Sequence, residues 1–214
     1  MSLTKDFLTW FIFSASMGVD ILSEFVEVCI HCVLYSRGLY PQGVFEKRIK
    51  YNVPVQMCLH PDVCAYITNV VDSVKMLLSE GHVDKISVVI LEEDSVTPVE
   101  RFVIELGSLK PNWTEKDPHL FQTEQALRGF LLKLSVTDAL LHPASKDVTW
   151  TVHVHTKDST LSAVDEQLVQ KEFPWVEAEE KQQQLKNSRL VPIKSYSSDW
   201  LNMQLYAEET DEKS

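Results

Sequence analysis

Six residues raise the question of metal binding first. Cys29 and Cys32 form a Cys-x-x-Cys pair, Cys58 and Cys64 follow, and His31 and His60 lie beside them, so the ligand types suit zinc. The spacing does not. Cys29 falls on the apolar stripe of a helix, and Cys-x-x-Cys in mid-helix presents its thiols about one turn apart, without the tight turn a zinc knuckle needs. The four cysteines therefore read as free thiols, small buried hydrophobes. His153 and His155 share one face of a strand, but no carboxylate or third ligand follows at a useful spacing, and they read as partly buried strand histidines. The acidic pairs Glu92-Glu93 and Glu179-Glu180 lie in polar stretches that read as solvated surface. Gly-x-Ser-x-Gly, a Walker loop, a dinucleotide fingerprint and His-Glu-x-x-His are all absent from the sequence. These residues support no catalytic site, no metal site and no cofactor. What stands out instead is aromatic: Tyr66, Trp175, Trp200 and Tyr206, in a chain whose later segments look irregular. Aromatic anchors on short strands and loops are what peptide-binding surfaces use.

The elements that must position these groups follow from periodicity. From Met17 to Tyr40, Val19, Leu22, Phe25, Val26, Cys29, Ile30, Val33 and Leu34 recur at helical spacing, and Gly38 and Pro41 stop the helix. Val44 to Met57 reads as an edge or irregular strand because of Pro54. His60-Pro61-Asp62 opens a second helix that Gly81 ends. Ile86–Leu91 and Val99–Leu106 read as two strands of a hairpin. A third helix carries Leu120, Phe121, Leu127, Phe130, Leu131 and Leu134 on its apolar side, and Val148–His155 alternates as another strand. After residue 160 the chain reads as loops and short strands around a glutamine-rich hinge, Lys181–Gln184. The order predicts an α+β fold with three helices on one sheet.

Charge and composition narrow the function further. The 214 residues hold 20 Lys+Arg against 31 Asp+Glu, a formal net charge of −11, which argues against a main DNA-binding subunit because phosphates would repel it. The short Lys47-Arg48-Ile49-Lys50 patch is the one place to test for direct DNA contact, and little is expected there. Residues 161–214 carry eleven acids against six bases, so the acidic excess concentrates in the irregular tail. The apolar run Phe7–Phe13 lacks a basic leader and runs into the first helix, so it reads as a docking segment rather than a signal peptide. No stretch reaches the roughly 18 apolar residues that span a bilayer, and an intracellular, reducing compartment is expected.

Four motifs in order resemble one family. They are Tyr51-Asn52-Val53-Pro54-Val55-Gln56-Met57 after Glu46-Lys47-Arg48, then Val152-His153-Val154-His155-Thr156, then Phe173-Pro174-Trp175, and last Asn202-Met203-Gln204-Leu205-Tyr206. Together they resemble the HORMA-domain accessory subunits of the translesion DNA polymerase zeta, the mitotic-arrest-deficient-like protein two family, collinearly from about residue 17 to 209. The resemblance implies a HORMA fold of class α+β: three helices on a mainly antiparallel sheet with a mobile C-terminal "safety belt". Residues 1–16 would be an N-terminal segment, 17–209 one domain with core 17–159 and belt 160–209, and 210–214 a tail.

The resemblance further implies a non-catalytic adaptor without cofactor or metal, working in the nucleus with some cytoplasmic protein. Tyr66 and Trp175 would line the channel for a short peptide of the catalytic subunit of polymerase zeta. Leu190, Gln204 and Tyr206 would engage the C-terminal domain of the scaffold Y-family polymerase. Arg128 and Lys133 would lie where the family self-associates as a homodimer or meets another HORMA protein. An alternative role in double-strand-break end protection with shieldin-type factors, or in inhibiting the anaphase-promoting complex through its activator, would use the same channel. An AAA+ remodelling ATPase is a further implied partner; strong direct nucleic-acid binding and membrane association are not.

Overall fold

The computed structural model describes residues 5–109, 118–144, 146–157, 175–183 and 185–211. Helix α1 spans Lys5–Ser36. Sequence periodicity starts it at Met17, but the backbone is helical about three turns earlier, because Lys5 to Met17 contains neither Gly nor Pro to break it. Leu22, Phe25, Val26, Cys29, Ile30 and Val33 are buried, a stripe wide enough to meet α2, β2 and α3 at once. The helix closes as the glycine demands: Gly38 at φ +64° donates to the Tyr35 carbonyl and Leu39 to the Leu34 carbonyl, satisfying two end carbonyls.

Two short strands follow where one irregular strand is expected. β1 (Phe45–Lys50) and β2 (Val53–Cys58) form an antiparallel ribbon apart from the main sheet. Tyr51 and Asn52, both at positive φ (48° and 56°), make the two-residue turn that reverses the chain. Pro54 faces Ile49, a position a two-stranded ribbon tolerates because both strands are edges. Helix α2 (Pro61–Ser79) begins with proline in its first turn and ends at Gly81, where His82 donates to the Leu77 carbonyl.

The main sheet is antiparallel throughout. Strands β3 (Val83–Glu92) and β4 (Pro98–Leu109) form the expected hairpin. Helix α3 (Pro118–Thr137) precedes β5 (Val148–Thr156), which pairs with β3. The glutamine-rich stretch expected as a hinge carries one helical turn, α4 (Glu180–Gln183). The tail is more regular than its sequence suggests: β6 (Ser188–Ser197) and β7 (Leu201–Thr210) are full ten-residue strands joined as a hairpin, with β7 on β4. The sheet order is β5-β3-β4-β7-β6.

One core joins these layers. Ile86, Val88 and Ile90 of β3, Phe102, Ile104 and Leu106 of β4, and Met203, Leu205 and Ala207 of β7 point at the helices, the period of two that a strand requires. Phe25 of α1 meets Phe130 of α3 edge to face, with centroids 5.9 Å apart. Phe121, expected inward on α3, is 66% exposed; the inward stripe of that helix runs instead through Ala126, Leu127, Phe130, Leu131 and Leu134.

The cysteine and histidine cluster resolves as packing. All four thiols are free, Cys29 and Cys58 are buried, and burial pushes the Cys32 thiol up to about 12, far from the reactive thiolate range. Among the described residues no group of three or more His, Cys, Asp or Glu is placed to hold a metal. His31 is buried, and its Nδ1 accepts the Cys58 N–H at 3.1 Å, tying α1 to β2.

Two outcomes follow. Phe130→Ala removes a fully buried ring and should lower unfolding stability by about 3–5 kcal/mol in urea titration. Burial, with Arg48 adding to it, pushes His31 down to about 4 from its ordinary 6.5. The unfolded chain therefore binds this proton at higher pH than the folded one. The stabilisation is whole above pH 6.5 and drains away as pH falls toward 4. His31→Gln should flatten the pH dependence of stability by about 2 kcal/mol between pH 7 and 5, and equal slopes in both proteins would refute this origin.

Candidate functional site

β5 lies at one edge of the sheet and pairs with β3 alone among the described strands. Among the described strands nothing pairs with its other side, a row of backbone groups that could take an added strand. An aromatic wall stands beside it. Tyr66, half-buried on α2, meets Trp150 of β5 edge to face at 5.2 Å, and Trp150 Nε1 donates to the Tyr40 hydroxyl at 2.9 Å. Trp175 is half-buried against the same core, followed by the exposed Val176. Trp150 and Tyr40 were not singled out in the sequence. The available signal was that Trp150 falls in phase with Val152 and Val154, the inward face of β5. Phe173 and Pro174 of the third family motif lie outside the described residues.

His153 and His155 occupy the opposite, outer face of β5. Burial pushes His153 down to about 4, with Arg101 and His155 adding to it, and lowers His155 as well. Both are therefore neutral near pH 7.

The second group of candidates is brought together by strand register. Leu190 of β6 lies opposite Glu208, Pro192 opposite Tyr206, and Ser195 opposite Gln204, so Leu190, Gln204 and Tyr206 share the outer face of the C-terminal hairpin. Leu190 is 55% exposed and Gln204 is exposed, whereas Tyr206 is half-buried and donates from its hydroxyl to Glu105 at 3.1 Å. Burial and that carboxylate raise the Tyr206 phenol above its ordinary range. The same face continues into a cleft of about 350 Å³ lined by Lys85, Ser87, Arg101, His155, Tyr206 and Glu208. Arg101 donates to the Gln183 carbonyl at 3.0 Å, tethering α4 to β4.

The remaining candidates are less concentrated. Arg128 is half-buried and Lys133 exposed on α3, and five residues of helix set them about 140° apart around its axis. Trp200 is core: it is 3% exposed, with its indole N–H donating to Thr123 at 3.1 Å between the hairpin and α3.

A model of the HORMA domain matches residues 19–161. The chain is 44% identical over 194 residues to the rat (Rattus norvegicus) protein named mitotic spindle assembly checkpoint protein MAD2B, covering 91% of this chain and 92% of that one. It is 34% identical over 189 residues to the Arabidopsis thaliana protein named DNA polymerase zeta processivity subunit, covering 87% and 83%. Among solved structures, a chain of the Mitotic Checkpoint Complex superposes with a TM-score of 0.74 at 18% identity, covering 90% of this chain and 98% of that one. C. elegans HTP-2 bound to the HIM-3 closure motif gives 0.71 at 13% identity, covering 92% of each. These two likenesses concern the fold alone. The antiparallel sheet under three helices, the family model over residues 19–161 and relatives aligned along nine-tenths of the chain agree: this protein belongs to the HORMA-domain family, in the branch of MAD2B and the polymerase zeta processivity subunits, which are non-catalytic adaptors.

Proposed function

We propose that this protein is the adaptor subunit of DNA polymerase zeta, clamping a short peptide of the catalytic subunit along the free edge of β5 beneath the belt of residues 160–209. The observation that carries this reading is the chain's path. β5 sits at one edge of the sheet and the next strand along the chain, β6, at the other, so the two strands stand four spacings, roughly 19 Å, apart. The connection between them leaves from an edge that no other described strand pairs with, and we infer that it closes over a strand added there. Trp150, Tyr66 and Trp175 then offer apolar side walls, while the β5 backbone supplies the ladder bonds. The relative named DNA polymerase zeta processivity subunit supports the choice of partner, and the HTP-2 complex with a closure motif supports the mode of binding. Release through a belt that must rearrange makes dissociation slow.

The outer face holding Leu190, Gln204 and Tyr206 would recruit the C-terminal domain of the scaffold Y-family polymerase. Two faces on one small body then raise the effective concentration of one polymerase near the other, which is the whole contribution of such an adaptor. A nuclear site of action with some cytoplasmic protein follows from that role. Arg128 and Lys133 are proposed to serve self-association or a second HORMA protein. The relatives' name, a spindle assembly checkpoint protein, favours one second reading, in which the same edge seizes a peptide from an activator of the anaphase-promoting complex, and a shieldin-type end-protection factor would use that edge too.

Tyr66→Ala and Trp175→Ala should each abolish co-purification with the catalytic-subunit peptide, and undiminished recovery would refute the channel assignment. Leu190→Ala or Tyr206→Ala should weaken the scaffold polymerase alone, by about 1–3 kcal/mol in calorimetry, with the catalytic peptide bound as before. Peptides recovered from the belt in cells separate the two readings: polymerase sequences support the first, and end-protection or checkpoint sequences the second.

A further inference from the structure

Two carboxylates near the ends of β4 and β7 are buried side by side. Glu100 and Glu209 are direct partners in the β4–β7 register, and they are 2% and 0% exposed. Residues opposite one another on adjacent strands have Cβ atoms about 4.5–5.5 Å apart, and like charges there repel. In a desolvated interior such a pair persists when cations and hydrogen-bond donors meet both members.

The cations come from two separate elements. Arg37, just past α1 and buried, sets Nε 3.0 Å from Glu100 Oε1, pairs with Asp138, and donates to the His142 carbonyl at 2.8 Å. Arg189 of β6, the register partner of Glu209, pairs with Glu209 and donates to the Leu140 carbonyl at 2.9 Å. The His142 residue joins the two halves: its N–H donates to Glu209 Oε2 at 3.0 Å, its Nδ1 lies 3.2 Å from Glu209 Oε1, and its carbonyl is held by Arg37.

The network divides along the seam between β4 and β7. Arg37, Glu100 and Asp138 belong to the core half, whereas Glu209 and Arg189 both belong to the hairpin and would leave with it as a neutral pair. The bonds named above that cross the seam run to residues 140–142. A shift of β7 by one residue would turn Glu209 to the outer face and part it from these partners.

We propose that Arg37, Glu100, Glu209 and Arg189 form a register latch, which fixes where the C-terminal hairpin docks on β4, with the hairpin half carrying its own counter-charge. The latch is independent of what the β5 edge binds. Hydrogen exchange by mass spectrometry on the full chain tests it. Arg189→Met removes the guanidinium from the buried Glu209, so exchange across 190–207 should rise about tenfold or more while β3, residues 86–91, stays within about twofold. Adding Glu209→Gln should return the hairpin to within about threefold of the parent. An equal rise in β3 and the hairpin, or no rescue by Glu209→Gln, would overturn the proposal. If Arg189→Met does not fold, Arg189→Ala with Glu209→Ala removes the hairpin half entirely. Faster exchange confined to the hairpin in that variant supports the latch, and unchanged hairpin exchange refutes it.

Discussion

The pairing of β4 with β7 is the contact on which the architecture rests. It joins strands about a hundred residues apart in the chain, and each of its consequences is geometric. The inward residues of β7, Leu201, Met203, Leu205 and Ala207, complete the core that β3 and β4 begin. The outward residues of the hairpin become one surface. Because β6 and β7 occupy the side of β4 away from β3, the side of β5 away from β3 is left free among the described strands, and the intervening chain has to pass from one edge of the sheet to the other. Without this pairing the hairpin would be an isolated pair of strands, which is marginal in water.

Polar burial gives that docking its definition. Apolar contacts between β7 and the helices exclude a slip of one residue, which would turn Leu201, Met203, Leu205 and Ala207 outward, but they tolerate a slip of two, since one aliphatic side chain packs about as well as another. Glu100 and Glu209 are not forgiving: each demands a guanidinium and donors at stated distances. His31 plays a smaller version of the same part at the other end of the core, where its neutral ring accepts a backbone N–H from β2. Such groups contribute little net stability while penalising alternatives.

The surplus of acid, −11 overall, takes on a meaning from this layout. A surface of this sign is repelled by phosphate, and Lys47, Arg48 and Lys50 lie together in one small ribbon outside the main sheet.

The local signals were readable from the residues themselves. Gly38 and Gly81 end helices where positive φ is needed, Pro61 opens one, and the β-branched runs 86–91 and 99–106 form the hairpin their spacing requires. The absence of a catalytic motif and the four family motifs were equally plain. What periodicity could not reach were contacts between distant parts of the chain. Phe121 has the right chemistry for a core and the wrong angle on its helix. β6 and β7 looked irregular because their outer faces are polar and β6 holds a proline, and a partner strand a hundred residues away made them regular. Trp150 became part of a wall only when α2 brought Tyr66 to it. Nothing in the sequence singles out Glu100 and Glu209, whose burial comes from the meeting of β4 and β7. Sequence alone determined the three long helices, the β3–β4 hairpin and the family, because those depend on neighbours within a few residues and on motifs in order. Tertiary structure decided which edge stays open, which face the hairpin presents and which charges are buried, because those depend on pairing across the chain.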